Sequence, residues 1–253
     1  LDMYFYYNGK TSEELGVYLV SLEKGLQTRP FLAEREIISE QIMGNDIPYV
    51  YGVKYNPLSL KLTLSCLDGT WTFEKRRELA RWLDIQQFAE FYTADNPSQI
   101  YYLMYKGGID LSYNGELKGY IQLEMQNISP YTYSPVYIKT YDLSDITSPT
   151  FIEFANEGDN DLKPEIWIYK IGDGDFSIVN YSNGGKEFKF TGLADKETVY
   201  VDCFNRYIET DMPLTYRYDN FNGEYLSLPR GVNRLLVNSS CQLQIRYQFE
   251  FKG

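Results

Sequence analysis

The run Glu157-Gly-Asp-Asn-Asp161 spaces carboxylates at alternate positions, a pattern in which oxygen ligands can converge on a hard cation such as calcium. It lacks the distal acid that closes such a loop, so turn formation is the preferred reading. Gly172-Asp-Gly174 is a glycine turn, but it carries an acid where a phosphate-cradling loop needs donors. The paired carboxylates Glu153 with Glu157 and Asp173 with Asp175 fall in turn-rich segments and match no hydrolase pattern. The chain has no histidine, which removes the commonest general base, the commonest neutral metal ligand and every Ser-His-Asp or Cys-His arrangement. No catalytic residue, metal site or cofactor is assigned, and an enzyme is not expected. Cys66, Cys203 and Cys241 are too few and too scattered for a disulfide framework or a zinc cluster, and are read as buried thiols. The chemistry that remains is recognition. Trp167 and Tyr169 share one parity of the strand Glu165-Ile-Trp-Ile-Tyr169 and form a candidate stacking platform for a sugar ring, with Ile166 and Ile168 on the other face. Which pair points inward decides the matter, and a core position for Trp167 is the preferred reading.

The elements that must position these residues are mostly strands. Tyr contributes 25 residues and Phe 14, a density that favours strands and interfaces. Asn-Gly recurs at Asn8, Asn114, Asn183 and Asn222, with Asp68-Gly69 as a fifth turn, and such dipeptides supply the positive φ of tight hairpins. Leu58, Leu60, Leu62 and Leu64 alternate up to Cys66, and Ile121, Leu123 and Met125 alternate with Gln122, Glu124 and Gln126. Tyr101, Leu103 and Tyr105 share a face of a strand expected to end at Gly107-Gly108. Pro130 interrupts the ladder within Asn127-Ile-Ser-Pro-Tyr-Thr-Tyr133, which marks a boundary between two β-rich modules, 1–133 and 134–253. In the second module six short strands and a final one, Leu243 to Phe251, predict a galectin-like or jelly-roll β-sandwich.

One helix is expected, at about 73–83, with Thr72 as N-cap, Glu74 in its first turn and an apolar face of Leu79, Trp82 and Leu83. Glu74 with Arg77 and Glu78 with Arg81 can pair on its wet side. The stretch from Phe31 to Asn56 has a mixed pattern and is read as a long projecting hairpin or arm. Ile37, Ile38, Ile42, Tyr49, Tyr51 and Tyr55 are its candidate subunit contacts, the three tyrosines sharing a parity that would put an aromatic stripe on one face. An internal core face is the alternative.

The net charge of −11 is spread evenly, with 12 basic against 17 acidic residues through Tyr133 and 12 against 18 beyond it. That sign repels phosphate and offers no basic stripe for gripping nucleic acid. No apolar run approaches the length of a membrane helix, so membrane insertion is not expected.

Taken in order, Phe5-Tyr-Tyr-Asn-Gly9 followed by Leu15-Gly16, the helix with Leu79, Trp82 and Leu83, Asp95-Asn-Pro97 leading into Tyr101-Tyr102, Gly119 through Pro130-Tyr131-Thr-Tyr133, and Gly231-Val-Asn233 form a set. The set resembles the distal tail proteins of siphophages infecting Gram-positive bacteria, over nearly the whole chain. The resemblance implies a mainly β, two-domain structural protein: an N-terminal β domain carrying one helix and an arm, and a peripheral galectin-like sandwich. It further implies a homo-hexameric ring at the distal end of the virion tail, made in the host cytoplasm before assembly. The ring would connect the tail tube protein to tail-tip fibre or lysin proteins, with the tape-measure protein and then DNA occupying its channel without specific binding. The competing reading is a carbohydrate-binding adhesion module recognising wall glycans; a galectin-type sugar site ordinarily uses a histidine, and this chain has none.

Overall fold

The computed structural model describes residues 3–21 and 30–253, so residues 1, 2 and 22–29 of the first expected domain lie outside the described residues. The chain divides into two compact units, Leu1–Ser134 with Lys252–Gly253, and Pro135–Phe251.

The first unit contains β1 (Phe5–Tyr7), β2 (Lys10–Thr11), β3 (Val17–Leu19), β4 (Arg35–Glu40), β5 (Tyr49–Tyr55), β6 (Ser59–Cys66), α1 (Phe73–Leu83), β7 (Ala89–Thr93), β8 (Asn96–Tyr113), β9 (Gly119–Asn127) and β10 (Thr132–Tyr133). Its main sheet runs β2-β1-β7-β8-β9-β6-β3, with β10 beside β8. Asn8 and Gly9 both take positive φ, which closes β1 onto β2 as a primed hairpin turn. Leu60 and Leu64 of β6, Leu123 and Met125 of β9 and Leu103 of β8 bury one face of the sheet against α1. The helix begins where Thr72 accepts the Lys75 N–H, and it buries Leu79, Trp82 and Leu83. Trp82 stacks on Phe5 at 5.6 Å and donates its indole N–H to the Tyr7 carbonyl at 2.9 Å, so the helix is fixed to β1 by packing and a hydrogen bond together.

Three expectations are corrected here. The Glu74–Arg77 and Glu78–Arg81 pairs do not form; Arg77 lies over the Phe73 ring and Arg81 donates to the Arg77 carbonyl, contacts within reach of the same helix turn. The strand through Tyr105 does not end at Gly107-Gly108. It continues to Tyr113 because register shifts between Tyr105 and Asp110 absorb the two glycines as bulges. In the β8–β9 hairpin the positive φ belongs to Leu117, not Gly115.

The break after β9 is tightly held. Asn127, fully buried, accepts the Tyr102 N–H and donates to the carbonyls of Ser129 and Tyr131 at 3.0 and 2.7 Å. Tyr133 donates its hydroxyl to Ser129 at 2.8 Å.

The second unit contains β11 (Tyr137–Leu143), β12 (Thr150–Asn156), β13 (Glu165–Lys170), β14 (Gly174–Asn180), β15 (Lys186–Leu193), β16 (Thr198–Asp202), β17 (Tyr207–Thr210), β18 (Gly231–Val237) and β19 (Cys241–Tyr247). They form a sandwich of a five-stranded sheet, β11-β19-β13-β16-β17, and a four-stranded sheet, β12-β18-β14-β15. Every ladder is antiparallel, and Ile166, Ile168, Ile178, Phe188, Phe190, Val199, Leu235 and Ile245 fill the space between the sheets. The expected last strand, Leu243 to Phe251, is interrupted rather than continuous: it breaks after Tyr247 and strand geometry resumes at Glu250–Phe251, with Phe249 between them reaching the core. β19 pairs with β11 and β13 inside this unit. Strands β11 and β17 have no counterpart in the sequence reading, because β11 is buried only at Leu143 and exposed at four of its seven positions, and β17 spans four residues, both too weakly patterned to register.

Candidate assembly interface

Among the described residues, strands β4 and β5 pair only with each other, forming a two-stranded sheet separate from the main sheet of the first unit. The hairpin begins after Glu34, whose carbonyl accepts the Asn56 N–H at 2.8 Å, so its two ends are tied together at the base. At the tip, Asn45 donates its N–H to the Ile42 carbonyl and accepts the Ile47 N–H through its side chain, while Gly44 takes φ +89°. All of β4 and all but one residue of β5 are exposed. The candidate contacts Ile37, Ile38, Ile42, Tyr49, Tyr51 and Tyr55 are therefore on the surface, from 47% exposed at Tyr55 to 68% at Tyr51. The internal core face considered as an alternative is not formed.

One expectation about the arm fails. The ladder runs Arg35 opposite Tyr55, Ile37 opposite Val53 and Ile38 opposite Gly52, but then Ser39 opposite Val50 and Glu40 opposite Tyr49. A bulge at Tyr51 adds one residue to β5, which flips the parity beyond it. Tyr55 shares a face with Ile37 and Val53, whereas Tyr49 lies on the face of Ile38, so no single tyrosine stripe exists. Both faces of the arm carry large apolar side chains. The tip adds Met43, 101% exposed, and Ile47. Val50, Val53, Met43 and Ile47 were missed by the sequence reading; the aliphatic residues flanking each tyrosine were the available signal.

The other sequence candidates separate cleanly. Ile166 and Ile168 are 0% exposed, and Trp167 and Tyr169 point outward. This corrects the preferred core placement of Trp167: the strand is buried on one face only, and the aliphatic pair takes it. The acidic turns are occupied in holding loops. Asp159 pairs with Arg230, Asp173 accepts the Asp195 N–H, Asp195 accepts the Gly172 N–H, and Asp175 accepts the Gly192 N–H and pairs with Lys189. Those contacts hold the Asp175 carboxyl below the usual range, first through the Gly192 amide and then through Lys189. Among the described residues no cluster of acids, cysteines or histidines has the geometry of a metal site. Cys66, Cys203 and Cys241 are buried, and burial pushes their thiols up to about 11, 12 and 12 respectively. No helix among the described residues is long and apolar enough to cross a membrane.

Known proteins share this arrangement. The fold is similar to the crystal structure of the SPP1 Dit (gp 19.1) protein, described as a paradigm of the hub adsorption apparatus in Gram-positive-infecting phages. The TM-score is 0.75 at 15% identity, over 98% of this chain and 99% of that one. A chain of the phage P2 baseplate in its activated conformation with calcium matches at TM-score 0.51 and 9% identity, over 97% and 98%. In sequence, the chain is 31% identical over 251 residues to the SPbeta prophage-derived uncharacterized protein YomH of Bacillus subtilis (strain 168), covering 99% of this chain and 98% of that protein. A family model for a phage tail protein N-terminal domain matches residues 2–129, and one for a phage tail C-terminal domain matches residues 131–247. The chain thus belongs, over nearly its whole length, to the family of phage tail proteins defined by these two domains.

Proposed function

We propose that this chain is a distal tail hub, a structural virion protein without enzymatic activity whose copies close into a homo-hexameric ring at the end of a phage tail. The observation that carries the reading is the arm. A hairpin standing alone in water is marginally stable at best, and one that exposes apolar side chains on both faces needs a partner surface on each. A contact between the arm of one copy and a different face of the next is heterologous, and a heterologous contact repeated about one axis closes a ring. The similarity to SPP1 Dit, described as a hub of an adsorption apparatus, supports the same reading.

In this role the ring joins the tail tube protein to tail-tip fibre or lysin proteins, with the tape-measure protein in its channel until ejection. DNA then passes without specific binding. The net charge of −11 suits that passage, because acids facing a channel repel phosphate. The protein resides in the host cytoplasm until assembly and in the virion tail afterwards.

Deleting Ile42 to Tyr49 tests the arm. The expected product is folded, with the circular dichroism of the intact chain, and monomeric by light scattering. A ring that persists after the deletion would assign the contact elsewhere.

A further inference from the structure

The outer face of the five-stranded sheet in the second unit carries polar and aromatic side chains in register. Across its middle, Gln244 of β19, Trp167 of β13, Tyr200 of β16 and Glu209 of β17 lie side by side. The next row holds Arg246, Glu165, Asp202 and Tyr207 on the same four strands. The carboxylate of Glu165 is held from two sides, accepting from Arg246 Nη1 at 2.6 Å and from the Tyr200 hydroxyl at 3.1 Å. Trp167 packs beside Tyr200 with ring centroids 4.8 Å apart and planes at 42°. It is only half-buried, whereas Trp71 and Trp82 are core residues at 0% and 6% exposure. Neither the Trp167 indole N–H nor the Gln244 side-chain amide has a hydrogen-bond partner among the described residues.

We propose that this face binds a neutral saccharide, with one sugar ring lying against Trp167. A pyranose has an apolar C–H face and a rim of hydroxyls that both donate and accept, so it needs an aromatic plate beside fixed polar groups. Trp167 is the plate. Gln244 and the indole N–H supply open hydrogen-bonding positions, and the Arg246–Glu165 pair supplies donors and acceptors already oriented by the sheet. Charge narrows the ligand class. Arg246 is outnumbered on this face by Glu165, Asp202 and Glu209, with Asp142 beyond Gln242, so a phosphate-rich polymer is repelled and a neutral glycan is not. No histidine is required, because Gln244, the indole N–H and the Arg246–Glu165 pair supply the hydrogen-bonding groups that a galectin-type site takes in part from one.

The proposal goes beyond the hub reading and does not depend on ring formation. Its test uses the full chain, with neutral oligosaccharides of galactose, glucose and N-acetylglucosamine as probes and poly(glycerol phosphate) as the anionic comparator. Binding is read by tryptophan fluorescence and saturation-transfer NMR. Saturable binding of a neutral oligosaccharide is expected, with transfer onto its ring C–H protons. Trp167→Ala and Gln244→Ala should each weaken it by about tenfold or more with the unfolding temperature preserved. Gln244→Ala, on a partly open side chain, keeps the test readable even where Trp167→Ala fails to fold. Binding unchanged in Gln244→Ala, binding of the polyanion alone, or no neutral oligosaccharide bound would each overturn the proposal.

Discussion

A single absent side-chain atom decides how the β8–β9 hairpin closes. A Cβ on Gly119 would overlap the Ser112 carbonyl oxygen, a backbone atom that cannot swing aside. The Gly119 carbonyl also accepts the Trp71 indole N–H at 3.0 Å and the Ser65 hydroxyl at 3.2 Å, so a shift there reaches the core. Gly119→Ala is expected to lower the stability of the first unit by about 1–3 kcal/mol, seen as an earlier thermal transition. A variant that melts with the native chain would show that the hairpin relaxes freely. In the second unit the matching residue is Glu197, whose side chain is fully buried. Burial works against its charge, but Arg217, Thr210 and the Ala194 amide outweigh it and hold the carboxyl below its usual range. Arg217→Ala would strand that carboxylate and is expected to cost about 3–5 kcal/mol. Because the folded-state pKa is depressed, the stabilisation is present above the unfolded carboxylate range and is lost as pH falls through the folded value. Urea unfolding of the native chain should therefore weaken below about pH 4, and the slope should flatten in Arg217→Ala.

Among the elements, the arm is the one whose stability is expected, on the proposed function, to depend on a partner surface. Among the described residues its backbone ladder has no neighbouring strand and no buried face, so its amides are expected to exchange within the fastest class in a monomer and to become protected on assembly. Hydrogen exchange on β4 and β5 before and after assembly reads this directly, and slow exchange in a confirmed monomer would contradict it. The arm also shows what sequence patterning can carry. Its existence and exposure were legible from the mixed Ile and Tyr pattern around Gly44-Asn-Asp-Ile-Pro48. Its faces were not, since the bulge at Tyr51 is set by cross-strand register and leaves no trace in the parity of β5 alone. The same limit hid the continuation of β8 through Gly107-Gly108, where a turn signal turned out to be a pair of bulges. By contrast, α1 was legible to the residue, because Thr72, Glu74 and the Leu79, Trp82, Leu83 face are local signals that tertiary contacts only reinforce. For β13 the alternation was legible but its sign was not: Ile166 and Trp167 are both apolar, and only the opposing sheet decides which is inside.

For the whole molecule, composition pointed in one direction: no histidine, an even acidic charge and abundant aromatics suit a protein that assembles more than one that reacts. The structure gives those aromatics different work. In the two cores they are packed, as with Trp82 on Phe5 and Phe188 on Phe190, while on the arm tyrosines stand in solvent. Large apolar groups held out on a hairpin are a liability for a monomer and an asset for a ring. The central claim is that the purified chain closes a six-membered ring through this arm. Its most direct test is the solution mass by light scattering, taken with class averages from negative-stain images. A mass six times that of the chain, with six-fold averages that vanish when Ile42 to Tyr49 are deleted, is the expected result; a stable monomer at all accessible concentrations, or a ring indifferent to the deletion, would contradict it.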